Sequence, residues 1–169
     1  SIFKRLTLLR QTASTQDHAR LAGARAGDVV VAWRQTAGRG RLGRAWADTG
    51  TDGIAVTFVA PRGEPEALVM ACAVAAARAL SRFLPADRAG IKWPNDIVAG
   101  GRKLGGILVE QTGTDAHIGI GCNVSQLAFE AELDGIATSL AREGSGADRL
   151  DVLCELARAL DAALRAEPD

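Results

Sequence analysis

The residues best suited to chemistry lie in a basic, glycine-rich loop at residues 35–44, which reads Gln-Thr-Ala-Gly-Arg-Gly-Arg-Leu-Gly-Arg. Its three glycines would let the backbone approach a ligand closely, and its three arginines offer planar guanidinium groups to phosphate or carboxylate. The glycines also satisfy G-x-G-x-x-G, but a dinucleotide-binding loop must open directly into a helix. Residues 44–50 have no helical period and soon reach a turn at Gly50. The segment therefore predicts an anion-binding loop outside a Rossmann fold, with a solvated flexible loop as the alternative.

A second polar segment follows a predicted strand at residues 92–96, Lys-Trp-Pro-Asn-Asp. The proline interrupts strand pairing and would turn Asn95 and Asp96 toward a ligand. Seven residues after Asp96, Lys103 begins the run Lys-Leu-Gly-Gly-Ile-Leu-Val-Glu, and a tight hairpin at residues 100–101 would bring it beside Asp96. A plain hairpin with a surface lysine is the alternative. Paired glycines inside an apolar strand nevertheless indicate that another group approaches closely.

These motifs, together with Ser14-Thr15 and the segment Gly-Ile-Gly-Cys-Asn-Val at residues 119–124, resemble the catalytic domain of biotin protein ligases, in the biotin/lipoate ligase superfamily. They occur in family order and at family-like separations over residues 13–124. The resemblance implies ATP-dependent activation of biotin as biotinyl-5'-AMP and its transfer to a lysine of a biotin carboxyl carrier protein, of acetyl-CoA carboxylase or a related carboxylase. It also implies Mg²⁺ with the ATP, and an α+β fold related to class II aminoacyl-tRNA synthetases and lipoate ligases.

The resemblance assigns roles to individual residues. The positions that would hydrogen-bond the ureido ring of biotin are Ser14, Thr15 and Gln35, of which the first two also suit helix capping. The loop that would fold over biotin and the adenylate contains Gly38, Arg39 and Arg41. Contacts to ATP or the adenylate fall on Arg44, Trp46, Asn95, Asp96 and Asn123, with a buried structural role as the alternative for Trp46. Lys103 would lie between the biotin carboxylate and the α-phosphate. The expected catalytic residues are therefore Lys103, Arg41 and Asp96, and no metal ligands are assigned.

Several positions depart from the family pattern. Ala13 replaces a usual Asp, Leu42 replaces a common Arg, and residues 47–53 lack the usual Ser-Pro and Gly-x-Asn-Leu pattern. Cys122 stands where an aliphatic residue is common, and we interpret it as a buried, inert thiol rather than a reactive one. The distinction matters because an octanoyltransferase of the same superfamily would need a cysteine nucleophile. The rival functions are a lipoate or octanoate ligase or transferase, and a non-enzymatic biotin sensor or repressor.

Short strands and three helices are predicted to position these residues. The periodicity predicts strands at residues 3–8, 29–33, 54–59, 91–93, 97–99, 102–111 and 116–124. It predicts helices at residues 16–24, 66–84 and 148–166, with a polar stretch at residues 125–147 before the last one. Hairpin turns at residues 100–101 and 113–115 favour a mixed or antiparallel central sheet covered by helices, so the fold class is α+β. We expect one domain over residues 1–169, with no DNA-binding domain before it. We also expect the chain to lack the small C-terminal β-barrel that is common in the family. If the chain is a fragment, it should bind biotin but hold ATP weakly.

Composition argues against several other functions. Lys plus Arg and Asp plus Glu number 20 each, so no net charge attracts the molecule to DNA or to a membrane surface. Three separated cysteines, two histidines and no C-x-x-C pair argue against a zinc site and a disulfide framework, which favours a reducing, cytoplasmic location. The most apolar stretch, residues 67–77, is shorter than the roughly 20 residues that span a bilayer. The sequence is compatible with a monomer and with a homodimer.

Overall fold

A seven-stranded sheet forms the centre of the computed structural model, which describes residues 1–48 and 50–166. Its strands are β1 (Arg5–Thr12), β2 (Asp28–Gln35), β5 (Gly53–Pro61), β6 (Ala89–Lys92), β7 (Asp96–Ala99), β8 (Arg102–Thr112) and β9 (Asp115–Asn123). They lie in the order β1-β2-β5-β9-β8-β7-β6, and β1 and β2 are parallel whereas the other neighbours are antiparallel. The mixed sheet and the α+β class are therefore confirmed. Thr49, which falls in the segment that departs from the family pattern, and residues 167–169 lie outside the described residues.

Two long helices, α2 (Pro65–Ser81) and α4 (Arg149–Arg165), cover one face of the sheet. The first turn of α2 is capped by Glu64, whose carboxylate accepts a hydrogen bond from the N–H of Ala67 at 2.7 Å. The helices bury their apolar side chains against alternate residues of the strands, including Val56, Phe58, Ile118 and Ile120. Because side chains alternate along a strand, Thr57 in β5 and position 119 in β9 face the opposite side of the sheet.

The opposite face of the sheet is only partly covered. Helix α1 (Thr15–Leu21) lies on it and buries Ala19 against Val30 of β2 and Val59 of β5. Beyond α1, the strands β8 and β9 present three glycines to this face, Gly106, Gly119 and Gly121. The missing side chains leave open space above the sheet, and this space holds the candidate site.

The ends of several elements differ from those expected from the sequence. β1 begins at Arg5 and continues to Thr12, because in-register pairing with β2 extends past the last apolar residue. α1 ends at Leu21, three residues early, and is followed by Gly23 at φ 65°. α2 begins and ends earlier than expected, at Pro65 and Ser81. Main-chain pairing and turn geometry thus set these boundaries, and hydrophobic periodicity does not report them.

Short elements also lie in segments that were expected to be irregular. The basic loop contains β3 (Gly38–Arg39) and β4 (Ala45–Trp46), which pair with each other, joined by a single 3-10 turn. The polar stretch contains a short helix, α3 (Ala131–Asp134). Elements of two to four residues are too short to produce a periodic pattern, so the sequence could not predict them.

Within the described part of the chain, no helix is both long enough and apolar enough to cross a membrane. All three cysteines are free thiols, with Cys72 and Cys122 buried and Cys154 exposed.

Candidate active site

A cavity of about 350 Å³ opens on the partly covered face of the sheet, between α1, the basic loop and the β6–β7 turn. Ten residues predicted from the sequence line it: Ser14, Thr15, Gln35, Arg39, Arg41, Arg44, Trp46, Asn95, Asp96 and Lys103. They come from segments up to about 90 positions apart in the chain, and the fold brings them to one place. Gly38 does not line the cavity, but a side chain there would meet Gln35 and Trp46 at 2.5 and 2.9 Å. The lack of a side chain at Gly38 therefore leaves space for the side chains of Gln35 and Trp46.

A polar cluster closes one end of the cavity where α1 begins. Gln35 Oε1 accepts hydrogen bonds from the N–H of Thr15 at 2.8 Å and from its hydroxyl at 3.2 Å. Ser14 is the N-cap of α1 and accepts from the N–H of Asp17 at 3.3 Å. Ser14 therefore caps the helix and also lines the cavity, whereas Thr15 is the first helical residue and not the cap. The contact of both residues with a ureido ring stays a prediction. Hydroxyl and amide groups held this way can both donate to and accept from a polar ring.

Two buried polar residues beneath this cluster were missed by the sequence analysis. Gln16 donates from its amide to the carbonyl of His117 at 3.0 Å, and its Oε1 lies 3.2 Å from the hydroxyl of Thr57. That hydroxyl also lies 3.0 Å from the hydroxyl of Thr15. A side chain at Gly119 would meet Gln16 Oε1 at 2.6 Å, so this glycine accommodates the amide. A single threonine inside the apolar run of residues 53–60 was the signal that could have revealed the network.

Lys103 and Asp96 form an ion pair at the other end of the cavity, with Lys103 Nζ 2.8 Å from Asp96 Oδ1. The β7–β8 hairpin places them together as the sequence predicted. Both side chains remain partly exposed, at 40% and 27%, so a ligand can reach them. Next to them, Asn95 donates to the carbonyl of Ile107 at 3.1 Å and accepts from Arg41 at 3.3 Å. A cation is thus held at the cavity wall with a second cation, Arg41, nearby.

Trp46 separates this cavity from a second one. Its indole packs on the glycine backbone of β8 and β9, since an added Cβ would lie 3.2 Å from it at Gly106 and 2.6 Å from it at Gly121. Lys103 Nζ lies 5.5 Å from the indole centroid, within cation–π range. Trp46 is only half-buried. It therefore supports the site structurally and also offers an aromatic surface to a ligand.

The second cavity, of about 290 Å³, lies on the far side of Trp46 and Lys103. Both residues line the two cavities, so the cavities meet there. Asn123 lines this second cavity and not the first. The sequence had grouped it with Asn95 and Asp96, which line the first cavity. It is 5% exposed, and its amide donates to the carbonyl of Thr138 at 2.9 Å and accepts from Gln126 at 3.2 Å. In this arrangement Asn123 fixes the cavity wall through its neighbours.

Two carboxylates, from β8 and from α1, contact the guanidinium of Arg39. Its guanidinium makes a two-pronged ion pair with Glu110 at 2.9 and 2.7 Å, and its NH2 lies 3.0 Å from Asp17. The hydrogen bonds from Arg39 lower the pKa of Glu110, although partial burial opposes ionisation. These contacts tie the basic loop to β8 and α1. The pairing of Glu110 could not be predicted from the sequence, because Glu110 lies 71 residues from its partner.

The surroundings of Cys122 decide whether its thiol can act as a nucleophile. Cys122 is 1% exposed on the α2–α4 side of β9, and burial raises its pKa to about 12. A thiol in this state is not a nucleophile at neutral pH, as we inferred from the sequence. Among residues 1–48 and 50–166, no group of three or more His, Cys, Asp or Glu side chains is arranged to hold a metal ion.

Comparison with known proteins agrees with this geometry. Residues 7–125 match the model of the biotin/lipoate A/B protein ligase family, which is more than half of the chain. The chain belongs to this family. A biotin–[acetyl-CoA-carboxylase] ligase from Mycobacterium tuberculosis is 36% identical over 173 residues, covering 95% of this chain and 64% of that protein. A bifunctional ligase/repressor from Bacillus subtilis is 35% identical over 158 residues, covering 86% of this chain and 48% of that protein.

A solved structure of the family has the same fold. The biotin protein ligase from Aquifex aeolicus in complex with biotin and ATP superposes with a TM-score of 0.87 at 31% identity, covering 96% of this chain and 71% of that chain. The chain thus spans from about half to about two thirds of these family members. The matched part contains all twelve predicted site residues, because these lie between Ser14 and Asn123.

Proposed function

We propose that this chain catalyses the ATP-dependent ligation of biotin, through biotinyl-5'-AMP, to a lysine of a biotin carboxyl carrier protein. The observation that carries the proposal is the pair of cavities that meet at Lys103 and Trp46. One cavity ends in hydroxyl and amide groups suited to a ureido ring, and a cation stands at the junction where two anions would react. The naming of the Mycobacterium tuberculosis relative and the biotin and ATP bound by the Aquifex aeolicus enzyme support the same substrates.

In the first step, an oxygen of the biotin carboxylate attacks the α-phosphorus of ATP, the new O–P bond forms, and pyrophosphate leaves with the electrons of the broken bond. Two anions must approach each other, so fixed positive charge lowers the barrier most. Lys103 would lie between them, and the exposed guanidinium groups of Arg41 and Arg44 would reach the phosphates. Mg²⁺ would enter as part of MgATP, since it usually binds through substrate phosphates with one or two carboxylates.

In the second step, the amine of a carrier lysine attacks the carbonyl carbon of the mixed anhydride. The C–N bond forms, the C–O bond to AMP breaks, and the amine loses a proton. Trp46, which packs on Gly106 and Gly121, would support the adenylate while the amine approaches from the open side of the cavity. No covalent enzyme intermediate is required.

The decisive experiment is biotin-dependent exchange of radiolabelled pyrophosphate into ATP, compared with lipoate and octanoate. We expect exchange with biotin at least about 100-fold above that with either fatty acid, because a site that hydrogen-bonds its substrate rejects one that leaves its groups unpaired. Equal exchange with octanoate would refute the biotin assignment.

The alternative function that can be tested directly is that of an octanoyltransferase that forms a thioester on Cys122. Cys122→Ala removes the thiol and a small buried volume, so we expect a stability loss of about 1 kcal/mol and ligation within about threefold of wild type. Gly63→Ala, in open space on the surface, is the control for the substitution itself. Complete loss of acyl transfer in folded Cys122→Ala would favour the rival.

The remaining parts of the proposal concern partner and location. A carboxyl carrier protein as acceptor is supported by the name of the Mycobacterium tuberculosis relative. We infer that the chain acts without binding DNA, because its 20 basic and 20 acidic residues leave no net attraction to phosphates. Use of ATP and the three free thiols support a cytoplasmic location.

A further inference from the structure

A buried carboxylate lies behind Lys103, outside both cavities. The side chain of Glu143 is only 2% exposed. Its Oε1 accepts hydrogen bonds from the hydroxyl of Thr138 at 2.7 Å and from Arg102 at 3.0 Å, and its Oε2 accepts from Arg88 at 2.8 Å. Burying a charged group is costly unless it is paired and hydrogen-bonded, and here three donors compensate it. Burial opposes ionisation of Glu143, but the hydrogen bonds from Thr138, Arg88 and Arg102 outweigh it and leave the pKa lowered.

The partners of Glu143 hold Lys103 from two sides. Arg102 precedes Lys103 in β8, so its guanidinium ties the start of that strand to Glu143. On the other side, the N–H of Thr138 donates to the carbonyl of Lys103 at 2.8 Å, and the N–H of Lys103 donates to the carbonyl of Ile136 at 2.8 Å. Residues 136–138 therefore run alongside Lys103 as a short parallel bridge. The hydroxyl of Thr138 connects that bridge to Glu143.

Two further contacts extend the network to the hairpin turn and to the second cavity. An added Cβ at Gly100 would lie 2.6 Å from the Arg88 guanidinium, so Arg88 packs directly on the β7–β8 turn. That turn joins the strand that carries Asp96 to the strand that carries Lys103. The carbonyl of Thr138 accepts from the amide of Asn123 in the wall of the second cavity. The carboxylate of Glu143 is thus connected to the β7–β8 turn, to the backbone of Lys103 and to the wall of the second cavity.

We propose that Glu143 is a positioning residue for the adenylation step, holding Lys103 at the junction of the two cavities through Thr138, Arg102 and Arg88. The inference rests on the proposed function. Glu143 touches no reacting group and acts only through the backbone around Lys103. A lysine displaced by about 1 Å from the reacting anions can cost on the order of 100-fold in rate.

The test is single-turnover formation of biotinyl-AMP by Glu143→Gln, which keeps the shape of the side chain and removes its charge. We expect the rate to fall on the order of 10- to 100-fold. The Kd for biotin should stay within about threefold, because the ureido end of the cavity lies on α1 and β2. Glu132→Gln, an exposed carboxylate in α3, is the matched control and should keep the wild-type rate.

A double-mutant cycle separates positioning from general damage. If Glu143 acts through Lys103, adding Glu143→Gln to Lys103→Met should cost less than threefold more, because the lysine it positions is already gone. Multiplying losses would overturn the inference, as would a wild-type rate in folded Glu143→Gln. Should Glu143→Gln fail to fold, Thr138→Val breaks the link to the bridge while leaving both arginines paired. We expect that variant to adenylate at least about fivefold more slowly, on the same positioning scale, and an unchanged rate would also overturn the inference. If wild-type protein forms no adenylate at all, the proposed function fails instead.

Discussion

At the scale of single residues, the proposed chemistry depends on a lysine that is paired but still accessible. Asp96 holds Lys103 Nζ at 2.8 Å, and 40% of the lysine side chain remains exposed. An ammonium between a carboxylate and a phosphate relieves their repulsion most as the bond between them forms. The interaction should therefore strengthen toward the transition state, and its loss should appear in kcat more than in KM.

Lys103→Met tests this role. We expect adenylate formation to slow on the order of 10²- to 10³-fold, the usual loss for one preorganised donor, while biotin binding largely survives. Rapid-quench measurement of adenylate formation, with calorimetry for biotin, distinguishes the two effects. Lys4→Met, at an exposed position near the start of β1, controls for loss of a lysine. A rate within about threefold of wild type, compared with the expected loss, would show that Lys103 has no role in adenylation.

The residues that could be predicted were those whose partner lies close in sequence or belongs to a motif. Lys103 and Asp96 are joined by a tight hairpin, so their pairing followed from the glycines between them. Gln16 and Thr57 were missed because their contacts join α1 to β5 across 41 residues. Glu143 was missed for a similar reason, since its contacts with Arg88 and Arg102 span 55 and 41 residues. Long-range polar pairing leaves no local signature.

At the scale of elements, the basic loop is fastened to the sheet by the Arg39–Glu110 pair, with Asp17 as a second carboxylate. The two-pronged geometry makes the pair directional. A glycine-rich segment with three arginines would otherwise be mobile. The pair connects β3 to β8 and α1, and we expect it to restrict the motion of the loop.

Glu110→Gln should loosen this loop. The arginines in it are trypsin sites, so we expect cleavage after Arg41 or Arg44 at pH 7.5 to be several-fold faster than in wild type, with Glu132→Gln as the control. The pKa of Glu110 is lowered in the folded protein, so the pair is intact above its ordinary pKa of about 4.3 and is lost as the pH falls further. The difference in unfolding temperature between wild type and Glu110→Gln should accordingly shrink below about pH 4. An unchanged cleavage pattern would contradict the role of the pair.

The glycines of β8 and β9 are the second feature at this scale, because the indole of Trp46 packs directly on their backbone. In Gly121→Ala the new methyl group would lie 2.6 Å from the ring and force it to move. Overpacking of this kind typically costs about 1–3 kcal/mol. We expect the Kd for ATP to rise about tenfold or more, and the Kd for biotin to change less than about threefold, on that scale. Isothermal titration with each ligand decides, and Gly63→Ala is the control. An unaffected ATP affinity would leave Trp46 with a structural role only.

At the scale of the whole molecule, the site uses most of the sheet. Its polar end lies on α1 and β2, its lysine on β8, and the glycines beneath Trp46 on β8 and β9. The order of these strands, with β5 and β9 between β2 and β8, could be predicted only as a mixed or antiparallel sheet. Hairpin turns predict which consecutive strands pair, whereas β5 beside β9 and β1 beside β2 depend on crossovers. The cavity therefore joins parts of the fold that are distant in sequence.

Because both ends of the chain's matched region contribute to the site, biotin should stabilise the whole molecule against unfolding. A ligand that binds only the native state at about 100 times its Kd contributes about 2.7 kcal/mol. For a domain of this size, 1 kcal/mol shifts the unfolding temperature by about 2–4 °C, so we expect a rise of about 5–11 °C with biotin. Octanoate has no polar ring to hydrogen-bond with Ser14, Thr15 and Gln35, and at the same concentration it should raise the unfolding temperature by less than about 2 °C, since a site built for hydrogen bonds rejects such a ligand. Differential scanning calorimetry at matched ligand concentrations makes the comparison. An octanoate shift equal to the biotin shift would mean that the polar end of the cavity does not select the substrate.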